Sequence, residues 1–163
     1  MNGPKLSQLF LDRKGTAAVE FGVVGSFLSL LTIGLVDFGM GYWEQMEVGN
    51  AVRAGTEYVI ANSSSLVTTW DATSIENAVT NATSLSGLSA SPAPSTSCGC
   101  PTASGGITTV AGTAPTCGGA CTGGGTAGAY VTVNAKVSYT TLLTYPAISN
   151  PVTLSATMTV RYN

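Results

Sequence analysis

The pattern of hydrophobic and polar positions changes twice along the chain. Residues 21–36 form an uncharged and mostly apolar run. Hydrophobic or small residues then recur at helical spacing between Val48 and Val59. Near the C-terminus, hydrophobic and polar residues alternate at 131–139 and again at 152–162. This alternation predicts two half-buried strands of about ten residues each, joined by the long connection 140–151.

The first two patterns together predict one long helix. It begins at Thr16 and ends near Asn62, where three serines follow. Its second half carries an apolar face at i, i+3, i+4, i+7 and i+11 spacing, which consists of Val48, Ala51, Val52, Gly55 and Val59. We call this second half of the helix the stem, and its apolar face can cover one face of a sheet.

A second, shorter helix is predicted from about Ser74. Thr73 and Glu76 match the T-x-x-E capping box. One apolar face follows, made of Ile75, Ala78, Val79, Ala82 and Leu85. Residues 86–128 hold no charge and eleven of the twenty glycines, so we expect loops with one short strand near 107–110. The predicted fold class is therefore α+β, with a short helix on an antiparallel sheet carried by a long N-terminal helix.

The apolar run is long enough to span a membrane. Thr16 to Val36 is twenty-one residues, or about 31 Å of helix, and a bilayer core is about 30 Å thick. A cleaved secretory signal peptide explains this run less well, because no small-x-small cleavage site follows Val36. A buried soluble helix is the other alternative, but so long an uncharged run is unusual for one. Residues 1–15 carry a net charge of +2 and residues 16–163 carry −4, which favours a cytoplasmic N-terminus.

Glu20 is the one charged residue within 16–36. It is either a boundary residue among lipid headgroups or a carboxylate that pairs with a specific cation in an assembly. Small residues at i, i+4 spacing lie on the same helix and permit close helix packing: Ala18, Gly22 and Ser26.

Composition excludes several kinds of chemistry. The chain has no histidine, so neither a Ser-His-Asp or Cys-His mechanism nor a His-ligated metal site can form within it. The six basic residues are scattered, which argues against nucleic-acid binding. A catalytic carboxylate pair is conceivable among Glu44, Glu47, Glu57, Asp71 and Glu76. Four of these five lie on predicted helices at spacings typical of solvated faces, so we predict no enzyme activity, no cofactor and no metal.

The four cysteines all lie in the turn-rich segment: Cys98, Cys100, Cys117 and Cys121. Their C-x-C and C-x3-C spacings are a poor match to zinc sites, and oxidation is the usual outcome outside the cytoplasm. Cys98 and Cys100 are too close in sequence to pair without strain. We therefore expect two disulfides between the 98/100 pair and the 117/121 pair, with the connectivity open.

Residues 13–21, RKGTAAVEF, resemble a type IV prepilin processing site: basic residues, a glycine, small or apolar residues and then Glu-Phe. The continuation resembles the TadE-like family of minor pilins, or pseudopilins, of tight-adherence pili. The similar segments are AAVEF at 17–21, VDFG at 36–39 and NAVRAG at 50–55. VTLSATMTVRY at 152–162 is similar in character only.

This resemblance implies a function and a division of the chain. A prepilin peptidase would cut after Gly15, so that Thr16 becomes the first residue, with Glu20 and Phe21 as assembly residues. Residues 1–15 would be a cytoplasmic leader, 16–62 a transmembrane and stem helix, and 63–163 an extracytoplasmic α+β domain. The implied partners are the peptidase, other pilin subunits through the N-terminal helix, and the bacterial inner membrane, before the subunit reaches a pilus used for surface attachment. The alternative is a membrane-anchored binding module that is never cut.

Overall fold

The computed structural model describes residues 13–146 and 148–163 and has an α+β fold. The helices of the described residues are α1 (Arg13–Ala61), α2 (Ser63–Thr68) and α3 (Ala72–Thr80). Their strands are β1 (Ser95–Pro101), β2 (Ile107–Thr109), β3 (Gly128–Tyr139) and β4 (Val152–Arg161). The chain divides into two compact units, one ending at Met40 and one comprising Gly41–Asn163, which we call the head unit.

The strands form one antiparallel sheet in the order β2-β1-β3-β4. β3 pairs with β4 along the whole length of β4, from Tyr130 opposite Arg161 to Tyr139 opposite Val152. The two strands predicted from alternation are thus confirmed as the central strand β3 and the edge strand β4.

Helices of the head unit cover one face of this sheet. The apolar face predicted on the stem is buried in full, and its residues pack with inward-facing residues of β3 such as Val131 and Val133. Ile75 and Val79 of α3 complete this core. The opposite face of β3 and β4 is polar, and there Thr132 hydrogen-bonds to Thr159 at 3.0 Å. The sheet therefore has the one buried face that its alternating sequence predicts.

Two close approaches set the register of α1 on the sheet. A Cβ atom on Gly41 would lie 3.2 Å from Cε1 of Tyr139, and one on Gly55 would lie 2.9 Å from Cγ1 of Val133. Fourteen residues of helix rise about 21 Å, and six residues of strand span about 20 Å, so the two distances agree. β3 therefore runs antiparallel to α1 within the head unit. The β3–β4 loop (140–151) lies at the end where the chain enters this unit.

The start of α3 differs from the prediction. The N-cap is Asp71, whose carboxylate accepts hydrogen bonds from the backbone N–H of Ser74 at 3.1 Å and from the Ser74 hydroxyl. The predicted Thr73–Glu76 capping box is wrong, because an acidic acceptor two residues upstream of Thr73 already caps the first turn. These two hydrogen bonds lower the pKa of the Asp71 carboxyl, and the bond from the Ser74 hydroxyl has the larger effect. The helix also ends at Thr80, so Leu85 packs on the core from outside it.

Two elements were not predicted. α2 (Ser63–Thr68) occupies the serine-rich segment at which the sequence predicts that the long helix ends, and it buries Leu66. β1 (Ser95–Pro101) lies in the segment predicted as loops, beside the short strand β2 that was expected there. The sequence of β1, STSCGCP, lacks the alternation of large apolar side chains that signals a strand.

Two disulfides connect the turn-rich segment, as predicted. Cys98 pairs with Cys117, and Cys100 pairs with Cys121. Because β1 pairs with the first residues of β3, these bridges lie at the end of the sheet opposite the β3–β4 loop. That end is about 36 Å from Tyr139 along β3.

Candidate assembly site on the N-terminal helix

The candidate site is the first half of α1, from Gly15 to Val36. It is helical throughout, and most of its large apolar side chains are exposed, Phe21 by 79% and Val19 by 67%. Among the described residues, α1 is the one helix that is long and apolar enough to span a membrane, over Gly15–Ala61. Such a surface is suited to lipid or to other apolar helices rather than to water.

The hydroxyl groups of Ser26, Ser29 and Thr32 are satisfied within the helix itself. Ser26 donates to the carbonyl of Val23 at 2.9 Å, and Ser29 donates to that of Gly25 at 2.8 Å. Thr32 donates in the same way to Leu28 at 2.8 Å. These bonds remove the need for water as a partner, so the hydroxyls fit an apolar environment.

Glu20 and Thr16 lie one turn apart on the same side of α1. Both are exposed, and four residues of helix separate them by about 6 Å along the axis. A positive charge at the backbone nitrogen of Thr16 would therefore be within reach of the Glu20 carboxylate of the same helix. A neighbouring helix shifted by about one turn would bring its own Thr16 to the same place.

The small residues lie on a different side of the helix. Ala18, Gly22 and Ser26 are exposed, and a Cβ on Gly22 would have no neighbour within 4 Å. Because each residue turns the helix by about 100°, Ala18 lies about 160° from Glu20 around the axis. The segment thus has two separate surfaces, one with a carboxylate and one that permits close approach.

The remaining predicted site residues are Gly15 and the four cysteines. Gly15 is exposed and helical, at the start of the segment. The cysteines lie in the head unit, all of them in disulfides. Among the described residues, no group of three or more Cys, Asp or Glu side chains is placed to hold a metal.

Two contacts that attach α1 to the sheet were not predicted. Gln45 donates to the Ser155 carbonyl of β4 at 3.0 Å, and Thr56 contacts the sulfur of Met158 at 3.4 Å. Neither residue belongs to the apolar face, so hydrophobic periodicity carried no signal for them.

A family model described as TadE-like protein matches residues 15–57. The match begins at Gly15 and includes the whole apolar segment and most of the packed part of α1. It confirms the resemblance that the sequence indicates, over roughly a quarter of the chain. No curated protein and no solved structure shows significant similarity to this chain.

Over residues 15–57 the chain is similar to the TadE-like family. Members of this family are pilin-like proteins associated with tight-adherence pili, and they are structural proteins rather than enzymes. Such a family implies contact with other pilus components, and the long apolar helix fits a single-pass membrane anchor.

Proposed function

We propose that this protein is a minor pilin of a tight-adherence type IV pilus, made as a membrane precursor, cut after Gly15 and assembled through α1. One observation carries the proposal. The segment that matches the family begins at the glycine, and it holds a carboxylate one helical turn beyond the cut. The chain would then consist of a leader at 1–15, a transmembrane and stem helix at 16–62 and a head domain at 63–163.

Cleavage would give Glu20 a partner. A cut after Gly15 creates a cationic amine on Thr16, and a neighbouring subunit shifted by about 6 Å along the helix axis would bring its own amine beside Glu20. A lone carboxylate costs about 2.5–3.5 kcal/mol at the centre of a bilayer, less near its edge, and pairing offsets that cost. The net stability of a buried ion pair is small, but it can fix the register between helices.

Assembly would use more than one side of the helix. The carboxylate and the small residues lie on nearly opposite sides, so neighbouring helices can contact both. Phe21 is next to Glu20 and is 79% exposed, so it supplies apolar area to such a contact. Other pilin subunits are therefore the proposed partners of this segment.

The head unit would be carried on the far side of the inner membrane. Lys5, Arg13 and Lys14 favour a cytoplasmic N-terminus, which places residues beyond the span in the periplasm of a bacterium before incorporation into a pilus. Both disulfides lie in this part of the chain, where oxidising conditions preserve them. The disulfide-linked loops lie at the end of the sheet opposite the β3–β4 loop. The proposed role in surface attachment belongs to the assembled pilus.

The test is an intact mass and an N-terminal sequence of the membrane-extracted protein, with and without its prepilin peptidase. We expect a peptidase-dependent start at Thr16. Gly15→Ala should leave the precursor uncut, whereas Gly39→Ala, the same change at another exposed helix position, should be cut normally.

A chain that keeps residues 1–15 under both conditions would contradict the proposal. It would instead favour the alternative, a permanently anchored module whose head unit binds a surface or a partner. Its α1 would then serve as an anchor only.

A further inference from the structure

Alternate residues of the edge strand β4 direct their backbone N–H and C=O groups away from the sheet. The direction follows from Lys136 of β3, which exchanges two backbone hydrogen bonds of 2.9 Å with Ser89 on the side of β3 opposite β4. The backbone groups of Lys136 therefore point away from β4, and those of Ser155, its partner on β4, point away from β3. Because this orientation alternates along a strand, it is shared by three further residues of β4: Thr153, Thr157 and Thr159.

These outward-facing groups are almost all available for pairing. The Ser155 carbonyl accepts the hydrogen bond from the Gln45 side chain at 3.0 Å. Among the residues that the structure describes, none bonds to the outward-facing backbone groups of Thr153, Thr157 or Thr159. All three threonines are exposed. Free donors and acceptors along an exposed edge are a template for a further strand.

β4 also lacks the features that usually prevent an edge strand from pairing. Proteins protect such edges with charges, prolines, bulges or very short strands. Residues 152–160 contain no charge and no proline, and the ten pairs with β3 follow one register without a bulge. The opposite edge of the sheet, β2, is only three residues long. β4 is therefore the edge that can accept a strand.

The apolar face of the sheet is incompletely covered at β4. Val133 and Ala135 of β3 are fully buried, whereas Met158, which pairs with Val133, is 38% exposed. Ala156, which pairs with Ala135, is half-buried. An added strand would place every second side chain beside these two residues of β4. The geometry thus suits a neutral strand with apolar side chains at alternate positions.

We propose that β4 accepts an extended strand of a different protein chain, which lengthens the sheet through main-chain hydrogen bonds. The occupant is an extended backbone because the free groups of β4 repeat every two residues, or about 7 Å, as they do in a strand. The proposal concerns a partner of the head unit, so it goes beyond the processing and helix contacts proposed above and does not depend on cleavage.

A second copy of this chain does not fit the same edge. Two identical edges pair about a two-fold axis, so two β4 strands would run antiparallel. Within the head unit β4 runs parallel to the stem, because β3 is antiparallel to both. Self-pairing would therefore direct the two stems oppositely, whereas subunits in one pilus or one membrane have their N-terminal helices in the same direction. This step alone rests on the assembly or anchoring of α1.

The test is residue-resolved amide hydrogen exchange of the full chain. It compares the purified monomer in detergent with the membranes and sheared pili of the cells that produce the protein. We expect the amides of Thr153, Thr157 and Thr159 to exchange rapidly in the monomer and at least several-fold more slowly in the membranes or pili, because hydrogen bonding slows exchange. The amide of Val133, which bonds within the sheet, should be slow in all samples and is the internal control.

A pair of variants tests whether the backbone makes the contact. Thr157→Pro removes an outward-facing N–H and no hydrogen bond to β3, whereas Thr157→Ala keeps that N–H. The proline variant should lose the protection of Thr153 and Thr159 in membranes or pili, and the alanine variant should keep it. Near-UV circular dichroism in detergent checks that both variants fold, and Thr159→Pro repeats the test at a second outward-facing position.

Three results would overturn the proposal. Rapid exchange of the three threonine amides in every sample would mean that the edge stays open, and slow exchange in the monomer would mean that the chain covers its own edge. Protection together with a disulfide-linked dimer of Ser155→Cys, Thr157→Cys or Thr159→Cys copies would make the occupant a second copy. The N-terminal sequence is read from the same samples. Protected amides on a chain that keeps residues 1–15 would contradict the proposed processing and leave the strand partner in place.

Discussion

Gly55 of α1 and Val79 of α3 approach so closely that a Cβ atom at position 55 would lie 2.6 Å from Cγ2 of Val79. Val79 is fully buried and β-branched, so it has little freedom to move aside. The stem helix therefore needs a glycine where it crosses α3 and β3. This glycine ends the NAVRAG segment that contributes to the family resemblance.

Gly55→Ala should destabilise the head unit. Forcing a methyl group into a packed core costs about 1–3 kcal/mol, while replacing Gly by Ala within a helix gains about 1 kcal/mol. We expect a net loss of up to about 2 kcal/mol, measured as thermal unfolding of the full chain in detergent by near-UV circular dichroism. Gly49→Ala is the matched control, because its Cβ would meet nothing within 4 Å. Equal melting temperatures for the two variants would mean that α1 packs differently on α3.

Removing one disulfide should cost about 2–4 kcal/mol, since each closes a loop of about twenty residues. Cys98→Ser combined with Cys117→Ser removes one native pair. It should leave Cys100 and Cys121 bonded, so no free thiol titrates in the folded protein. The measurements are thiol titration and chemical unfolding.

The crossed combination distinguishes the two connectivities. Cys98→Ser with Cys121→Ser breaks both native bridges and leaves Cys100 and Cys117 without their partners. It should show two titratable thiols and a larger loss of stability. The opposite ranking of the two double variants would contradict the pairing in the structure.

The sequence predicted the elements that hydrophobic periodicity defines. β3 and β4 alternate strictly, and the stem face repeats at helical spacing, so both follow from side chains that must leave water. α1 was predicted for the same reason, and it ends one residue before the expected Asn62.

Other elements depend on contacts that periodicity does not encode. β1 consists of small residues and cysteines, and its pairing with β3 and its disulfides hold it in the sheet. Asp71 and Thr73 are both acceptable caps in sequence, and backbone geometry decides between them. The apolar segment was predicted by length alone, whereas cleavage at Gly15 and the role of Glu20 require a peptidase and neighbouring subunits and so remain predictions.

The cap of α3 should be sensitive to acid. The pKa of Asp71 is lowered in the folded protein, so its contribution to stability is present above the ordinary carboxyl pKa of 3.8 and is lost as pH falls through the lower, folded value. We expect the melting temperature to fall as pH decreases through this range. Asp71→Ala should lower the melting temperature at neutral pH and remove this part of the pH dependence. Glu76→Ala, at the other acidic position near this helix start, should leave the acid dependence intact.

Glu20→Ala should allow cleavage but impair incorporation into the pilus. Removing the carboxylate takes away the proposed partner of the Thr16 amine, while Gly15 and the basic residues before it are unchanged. The measurement is the amount of cut subunit in sheared pili and in the membrane fraction, by quantitative immunoblot. We expect a several-fold decrease in the pilus fraction and an accumulation of cut subunit in the membrane. Glu57→Ala, the same substitution on an exposed position of α1 in the head unit, is the control and should assemble normally.

A second substitution separates charge from polarity at this position. Glu20→Gln keeps a hydrogen-bonding group of nearly the same size but cannot form an ion pair. If register depends on pairing of opposite charges, the Gln variant should be as defective as the Ala variant, because an unpaired amine is then left between apolar helices. Normal assembly of Glu20→Gln would restrict the role to hydrogen bonding. Normal assembly of Glu20→Ala would show that the carboxylate is a boundary residue among lipid headgroups and that the small-residue side of α1 is sufficient for helix contact.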